Sequence, residues 1–290
     1  MKAGLIGVGV MGGPMARNLK KAGHDVMVFN RTPERCEGLR SLGVAVGQTV
    51  DEVFSRSEVI IIMVSTQHDV DQVLGRDASG AIRAPVEGKS VVLMATVAPS
   101  YSEGLGASLS QRGARYVEAP VSGSKQPAEA AELVILASAK DEKSIDEVQP
   151  LFDAIGKKTV RCGPLPTAMR MKLANQLLLI SWFEAISEAT YFAKGIGLDV
   201  PTFLEMVAAG PLANGVFRSK VTKLTNEDFA QEAPIRHVAK DIGLVCDEAL
   251  ERGLKLPVAT TNRELFTRAV RAGQSQDDVI GILKILREGK

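Results

Sequence analysis

The sequence predicts an α/β domain built on a parallel sheet, followed by an all-helical domain and joined to it by a long helix. The first half alternates short apolar runs with segments of helical periodicity, which is typical of a parallel sheet with helices on both faces. From about residue 167 helical segments follow one another, and no segment has a convincing strand pattern. The change comes just after a breaker-rich piece, residues 162–166. We therefore predict domains over residues 1–163 and 164–290.

Seven apolar runs are strand candidates of the first domain. They are Ala3–Gly7, Asp25–Phe29, Val59–Val64, Ser90–Met94, Arg115–Glu118, Leu133–Ser138 and Lys157–Arg161. Helical periodicity is found between them at Pro14–Ala22 and Pro33–Leu42. The joining helix is predicted from about Thr167 to Ala193. Its long apolar stretch is interrupted by Glu184 and Glu188, which favours burial between protein surfaces over a membrane span.

Composition excludes several kinds of partner. With 35 basic and 34 acidic residues the net charge is +1, which indicates neither a nucleic acid nor an anionic membrane as partner. The N-terminal residues do not resemble a signal peptide. The cysteines have no paired spacing and the histidines have no metal-ligand spacing, so we predict no disulfide framework, no metal site and a cytoplasmic location. The cysteines are Cys36, Cys162 and Cys246.

The first strand candidate runs into a G-x-G-x-x-G motif that opens a helix, Gly7-Val8-Gly9-Val10-Met11-Gly12. Gly7 permits a tight turn, Gly9 lets the backbone approach a pyrophosphate, and Gly12 allows close packing of helix on strand. Val10 and Met11 supply backbone amides at the helix N-terminus. The motif therefore predicts a Rossmann-type dinucleotide-binding domain; the alternative is a plain glycine turn.

The end of the second strand candidate indicates which dinucleotide binds. NAD-binding chains have Asp or Glu at this point, where it accepts from the ribose 2′-hydroxyl. This chain has Asn30, Arg31 and Thr32, whose side chains can donate to a 2′-phosphate. We predict NADP as the cofactor; the alternative is that Arg31 is an ordinary surface arginine.

Near its start, the joining helix carries three polar residues within about one helical turn, Lys172, Asn175 and Gln176. They form either a solvated helix start or a reaction site. Ser122 and Gly123 lie in a turn after a short strand candidate, where a hydroxyl and backbone amides would suit a small carboxylate. The alternative there is a simple turn.

Four stretches in this order resemble one family, the β-hydroxyacid dehydrogenases, which include 3-hydroxyisobutyrate dehydrogenase and the glyoxylate/succinic semialdehyde reductases. The stretches are Gly7–Leu19, Glu118–Ser124, Lys172–Gln176 and Lys240–Ile242. The loop sequence VSGSKQPAE is most similar to the glyoxylate/succinic semialdehyde branch.

The resemblance implies roles for the polar residues. Lys172 would be the catalytic lysine, which protonates the carbonyl oxygen as hydride reaches the carbon. Ser122 and Gly123 would hold the substrate carboxylate. Asn175 and Gln176 would be substrate amides, and the family pattern leaves open which of them is the main one.

Further contacts are implied on the cofactor side. Thr96 would lie near the nicotinamide ribose, and Lys240 would face both nicotinamide and substrate. Val64 and Ser65 are assigned to the cofactor because an open α/β sheet binds its ligand at the carboxyl ends of its strands.

The resemblance implies an NADPH-dependent reductase of small carboxylate-bearing aldehydes such as glyoxylate or succinic semialdehyde, reversible as a 3-hydroxyacid dehydrogenase. A 3-hydroxyisobutyrate- or serine-type dehydrogenase is the alternative within enzymes, and a non-catalytic NADP-binding module is the alternative of another class. Homo-oligomers are expected through the apolar helical domain. The chain departs from the family at Pro166 and Ala168, where glycines are usual. Because proline fixes φ and alanine disfavours positive φ, either the turn at the start of the catalytic helix differs, or glycine is not needed at these two positions.

Overall fold

The computed structural model describes residues 1–288. It divides the chain into two compact units, Met1–Lys172 and Leu173–Lys290.

The first unit is built on one nine-stranded sheet. The strands are β1 (Lys2–Ile6), β2 (Asp25–Phe29), β3 (Ala45–Val46), β4 (Val59–Ile62), β5 (Ser90–Leu93), β6 (Arg115–Glu118), β7 (Val121–Ser122), β8 (Leu133–Ala139) and β9 (Gly156–Gly163). Their order is β3-β2-β1-β4-β5-β6-β8-β7, and β9 pairs with β8. All seven predicted strands are present within a residue or two of their predicted ends, whereas the two-residue strands β3 and β7 are too short to have been detected as apolar runs.

The sheet is parallel from β3 to β6, as the sequence predicts, and the strand direction changes at β8. Strand β8 runs antiparallel to both β6 and β7. Between β6 and β8 the chain forms only β7 and the five-residue helix α6 (Lys125–Glu129), which is too little to make the crossover helix of a parallel connection. The 14-residue helix α7 (Glu142–Ile155) does provide such a crossover, and β9 is parallel to β8.

Helices cover both faces of this sheet, which confirms the prediction. Residues alternate between the two faces of each central strand: Val59 and Ile61 of β4 enter one core, and Ile60 and Ile62 enter the other. The first core is completed by α7 and by α1 (Gly12–Lys21). The second is completed by α3 (Val50–Arg56), α4 (Gln67–Leu74) and α5 (Pro99–Gln111). The segment predicted as one helix over residues 33–42 is a short 3-10 helix followed by α2 (Glu37–Arg40).

The second unit is helical, as the sequence predicts. Its helices are α8 (Thr167–Gly195), which begins in the first unit, α9 (Val200–Ala209), α10 (Gly215–Thr225), α11 (Ile235–Glu251), α12 (Pro257–Arg271) and α13 (Ile282–Glu288). They pack around one apolar core that contains Phe217 and Phe266. In the chain up to residue 288, no strand follows β9 and no helix is both long and apolar enough to cross a membrane.

Candidate active site

The glycine-rich loop joins β1 to α1 at the point where the strand order reverses. Gly7 has φ +104°, and a Cβ there would lie 2.2 Å from the carbonyl oxygen of Met63. A Cβ on Gly12 would lie 2.0 Å from the carbonyl oxygen of Gly7. Gly9 is different, because the nearest atom to its would-be Cβ is the Arg35 guanidinium at 4.0 Å. Two glycines are therefore required by the protein's own packing, and the third leaves open space beside the backbone, which fits a dinucleotide diphosphate.

Helix α1 presents an uncompensated N-terminus to this opening. Its first turn contains no acidic residue, and the residue before the helix, Met11, makes no side-chain capping bond. Val10 beside it is exposed. Unpaired amides and the positive end of the helix dipole are what an anionic phosphate requires.

The turn after β2 carries the residues predicted to select NADP. Asn30 is bonded to backbone on both sides: its Oδ1 accepts from the Val8 N–H at 2.9 Å and its Nδ2 donates to the Thr32 carbonyl at 2.8 Å. It ties the glycine-rich loop to this turn. Arg31 has 84% of its side chain exposed, and its Nη1 lies 3.8 Å from Asp69 Oδ1. An exposed ion pair of this length holds the guanidinium weakly, so Arg31 can turn toward a ligand phosphate.

Arg35 is a residue that the sequence reasoning missed. It is exposed, belongs to the 3-10 helix Pro33–Cys36, and its guanidinium is the group nearest to the open side of Gly9. It lies four residues after Arg31 in a segment with helical periodicity, and that spacing could have identified it.

The ends of β4 and β5 lie at the same edge of the sheet as the loop, since both strands are parallel to β1. Val64 is close to the loop, because its Cγ1 lies 3.2 Å from the Cβ position of Gly7. Ser65 is exposed, and Thr96 is half-buried three residues beyond β5. The structure thus brings these three predicted residues to the edge where parallel α/β sheets bind ligands.

The turn predicted to hold a carboxylate follows β7 directly. Ser122 is half-buried at the end of this strand. Gly123 has φ +135°, and a Cβ there would lie 2.8 Å from Leu133 Cδ2, so the position requires glycine. Lys125 is exposed, with its Nζ 3.9 Å from Glu129 Oε1 one helical turn on.

Lys172 is buried, with 7% of its surface exposed, and lies in the second turn of α8. The turn that leads into this helix contains a cis peptide bond between Leu165 and Pro166. Within residues 1–288 the non-glycine residues with positive φ are Ala131 and Glu227. Pro166 precedes the helix and Ala168 has helical geometry, so neither position requires glycine.

In the second unit, Gln176 and Lys240 both contact Asp241. Gln176 is buried, and its Nε2 donates to Asp241 Oδ2 at 2.5 Å. Lys240 Nζ lies 2.8 Å from Asp241 Oδ1. Asn175, which directly precedes Gln176 in the sequence, is half-buried. The aromatic ring of Phe229 packs against the helical core, with Lys284 Nζ 4.5 Å from its centroid.

The described part of the chain, residues 1–288, holds no group of three or more His, Cys, Asp or Glu side chains suited to a metal ion.

Comparison with known proteins gives matches over nearly the whole length. Residues 2–163 match the NAD binding domain of 6-phosphogluconate dehydrogenase, and residues 167–286 match the NAD-binding domain of NADP-dependent 3-hydroxyisobutyrate dehydrogenase. Glyoxylate/succinic semialdehyde reductase 1 of Arabidopsis thaliana is 32% identical over 287 residues, 99% of each chain. The 2-hydroxy-3-oxopropionate reductase of Escherichia coli (strain K12) is 32% identical over 286 residues, 99% of this chain and 97% of that one.

Among solved structures, 3-hydroxyisobutyrate dehydrogenase from Salmonella typhimurium has a TM-score of 0.89 at 25% identity and covers 98% of this chain and 99% of its own. These matches confirm the predicted fold class and the family resemblance. The chain belongs to the β-hydroxyacid dehydrogenase family and is an oxidoreductase that acts on CH–OH groups with a nicotinamide dinucleotide cofactor.

Proposed function

We propose that the protein is an NADPH-dependent reductase of small carboxylate-bearing aldehydes, such as glyoxylate or succinic semialdehyde, and that it runs in reverse as a 3-hydroxyacid dehydrogenase. The observation that carries the proposal is Lys172, a buried ammonium-bearing side chain in the second turn of α8. The relatives of this protein include enzymes named as a glyoxylate/succinic semialdehyde reductase and a 2-hydroxy-3-oxopropionate reductase.

NADP is supported by the charge around the turn after β2. Arg31 and Arg35 are both exposed there, Arg35 lies beside the open Gly9, and Thr32 adds a hydroxyl. No carboxylate occupies the position at which NAD-binding chains hold the ribose hydroxyl, since Asn30 stands there and braces the loop. A lower KM for NADPH than for NADH is expected, and the reverse order would overturn this part of the proposal.

In this proposal, one residue of the chain transfers the proton and two others bind the substrate carboxylate. NADP, bound in its reduced form, supplies the hydride for the carbonyl carbon. Lys172 holds a proton at Nζ, gives it to the carbonyl oxygen, and stabilises the developing negative charge there. In the reverse direction Lys172 takes the proton back from the hydroxyl group. The substrate carboxylate is bound by the Ser122 hydroxyl and the Gly123 backbone amide.

Between the two amides on α8, we assign the substrate contact to Asn175. Gln176 already donates to the buried Asp241 carboxylate, which fixes its side chain and makes it a support of the site. Lys240, held by Asp241 at 2.8 Å, is assigned to the substrate and nicotinamide. Thr96, Val64 and Ser65 remain proposed cofactor contacts.

We also propose that residues 1–163 form the NADP-binding domain and that residues 164–290 form the domain for substrate binding and subunit assembly. Helix α8 carries exposed apolar side chains two turns apart, at Leu178, Ala185 and Phe192, followed by Ile196. A stripe with this spacing suits another helix, so we propose that the protein forms homo-oligomers through this surface. Cytoplasmic location stays a prediction of the sequence.

The decisive experiment follows absorbance at 340 nm with NADPH and a panel of semialdehydes, and with NADP⁺ and the corresponding hydroxyacids, including 3-hydroxyisobutyrate and serine. We expect turnover of at least one aldehyde, and loss of about 100-fold or more in kcat for Lys172→Ala. Lys143→Ala, an exposed lysine on α7, is the matched control.

Three outcomes would contradict the assignment in different ways. Wild-type turnover by Lys172→Ala removes the proposed acid. A higher kcat/KM for 3-hydroxyisobutyrate or serine than for the aldehydes moves the assignment to those substrates. Clear NADPH binding without turnover of any compound indicates a non-catalytic binding module.

A further inference from the structure

The start of α8 has an unusual source of capping groups. The first amides of a helix have no partner within the helix and must be satisfied from outside. The residue before this helix is Pro166, whose side chain has no atom that can accept a hydrogen bond. The cap therefore comes from elsewhere in the chain.

Two side chains on the sheet supply it. The Met169 N–H donates to Glu118 Oε1 at 2.6 Å, and the Ala168 N–H donates to Ser138 Oγ at 3.0 Å. The remaining amide of this first turn is bonded locally, from the Thr167 N–H to the Pro164 carbonyl at 3.0 Å.

The sheet register explains why these two side chains act together. Glu118, the last residue of β6, lies directly opposite Ser138 in the antiparallel pair with β8. Residues opposite each other in such a pair have their side chains on the same face. Both side chains therefore point to the helix start, and the antiparallel direction of β8 is what puts them in register.

Glu118 is fixed at its other oxygen as well. Its Oε2 accepts from Ser102 Oγ at 2.5 Å, and Ser102 Oγ lies 2.7 Å from the Tyr116 hydroxyl. The Glu118 side chain is fully buried. Burial raises its pKa, and the hydrogen bonds from Ser102 and Met169 act in the opposite direction. A carboxylate at a helix N-terminus also gains from the helix dipole.

Glu118 is thus bonded to the start of the helix that carries Lys172, and its strand β6 lies just before β7, which ends at Ser122. Lys172 follows Met169 by three residues, and Ser122 follows Glu118 by four. We propose that Glu118 is a positioning residue, which holds the start of α8 so that Lys172 is correctly placed for the substrate carbonyl. This inference rests on the proposed function of Lys172.

The first test compares three variants in steady-state kinetics. Glu118→Ala removes the cap, and because a displacement of about 1 Å can cost 100-fold in rate, we expect kcat to fall about 10- to 100-fold. The KM of this variant for NADPH should stay within about twofold of the wild-type value, since the glycine-rich loop is unchanged. Glu118→Gln keeps an oxygen acceptor and should recover kcat to within about fivefold of the wild type. Ser144→Ala, a buried serine on α7 that makes no bond to Glu118, is the control.

Wild-type kcat in Glu118→Ala would overturn the proposal. Equal losses of kcat and of NADPH affinity would also overturn it, because they would indicate a general loss of structure. If Glu118→Ala does not fold, the same kinetic comparison is made with Glu118→Leu, which fills the buried site but cannot accept from the Met169 N–H. Wild-type kcat in Glu118→Leu would then overturn the proposal.

The second test separates this proposal from the function of Lys172 itself. Added ethylamine should restore part of the activity of Lys172→Ala, and the double variant with Glu118→Ala should be restored to the same extent. If restoration is several-fold weaker in the double variant, Glu118 does not act through Lys172. Wild-type turnover by Lys172→Ala alone would instead overturn the proposed function.

The third test needs neither cofactor nor turnover. Hydrogen exchange in the cofactor-free protein should accelerate in Glu118→Ala at the amides of Ala168 and Met169, and should remain unchanged at those amides in Ser144→Ala. Unchanged exchange in Glu118→Ala would show that the helix start is held without Glu118.

Discussion

Neighbouring side chains after β2 have different tasks. Asn30 is half-buried and makes two hydrogen bonds to backbone atoms, whereas Arg31 is mostly exposed and lies 3.8 Å from Asp69. The first is a structural brace and the second is available to a ligand. Substitutions at the two positions should therefore have different signatures.

Arg31→Ala should raise KM for NADPH and leave KM for NADH nearly unchanged. A charge-assisted bond to phosphate contributes about 1.5–3 kcal/mol, so we expect a rise of about 10- to 100-fold for NADPH alone. Steady-state kinetics with both cofactors measures this, and Arg56→Ala, an exposed arginine on α3, is the control. Equal effects on the two cofactors would contradict a role in recognising the 2′-phosphate.

Asn30→Ala should weaken both cofactors alike. Without Oδ1 the Val8 N–H loses its partner and the glycine-rich loop loses its tie to the turn. We expect KM to rise by about 5- to 10-fold for NADPH and for NADH, corresponding to about 1 kcal/mol. A loss confined to NADPH would show that Asn30 contacts the 2′-phosphate instead.

The loop between β1 and α1 allows binding to be separated from folding. Gly9→Ala adds a methyl group into open space, so the cofactor-free protein should keep its melting temperature while NADPH affinity falls at least tenfold. Gly12→Ala adds one 2.0 Å from a carbonyl oxygen, so the protein itself should be destabilised. Thermal unfolding without cofactor and titration with NADPH check both variants. A lower melting temperature for Gly9→Ala would mean that this glycine serves the fold.

Helices α8 and α13 are joined through Glu227, whose carboxylate accepts from Arg287 at 2.7 and 2.9 Å and from Lys194 at 3.1 Å. The Arg287 bond, followed by the Lys194 bond, lowers the pKa of Glu227 to about 2. A lowered pKa means that the stabilisation is complete above the unfolded-state value near 4.5 and is lost as pH falls toward 2.

Glu227→Gln should therefore lower the free energy of unfolding at pH 7 by about 1 kcal/mol, a modest figure because the pair is partly exposed. The difference from the wild type should shrink between pH 4.5 and pH 2. Denaturation followed by fluorescence of Trp182, the single tryptophan, reports on the helical unit. Glu205→Gln, an exposed change on α9, is the control. A difference that persists unchanged at pH 2 would contradict the ion-pair account.

Assembly concerns the molecule as a whole. Leu178 and Phe192 are 72% and 63% exposed on one long helix, and exposed apolar side chains in a row mark contact surfaces. Leu178→Asp and Phe192→Asp should each lower the sedimenting mass at micromolar concentration. Leu42→Asp, an equally apolar exposed position in the first unit, should leave it unchanged. A monomeric wild type would remove the proposal.

The sequence is sufficient for the features that depend on local pattern. Alternation of strands and helices, the glycine motif and the change near residue 167 predict both architectures, and the strand ends agree within a residue or two. It is insufficient where function depends on pairing across the sheet. The direction of β8 is set by the short connection before it, and the cap on α8 joins Glu118 to Met169 across 51 positions. Such contacts have no periodic signature.

The brace made by Asn30 has a consequence for changing the cofactor preference. The Asn30 side chain fixes the glycine-rich loop to the turn by hydrogen bonds to backbone atoms of Val8 and Thr32. Arg31 and Arg35 are exposed on that turn. Under the proposed preference for NADP, the shape of the loop depends on Asn30, whereas the charge that would bind the 2′-phosphate lies on the two arginines. An engineer could replace the two arginines, keep the asparagine, and expect a chain that exchanges one dinucleotide for the other with its scaffold intact.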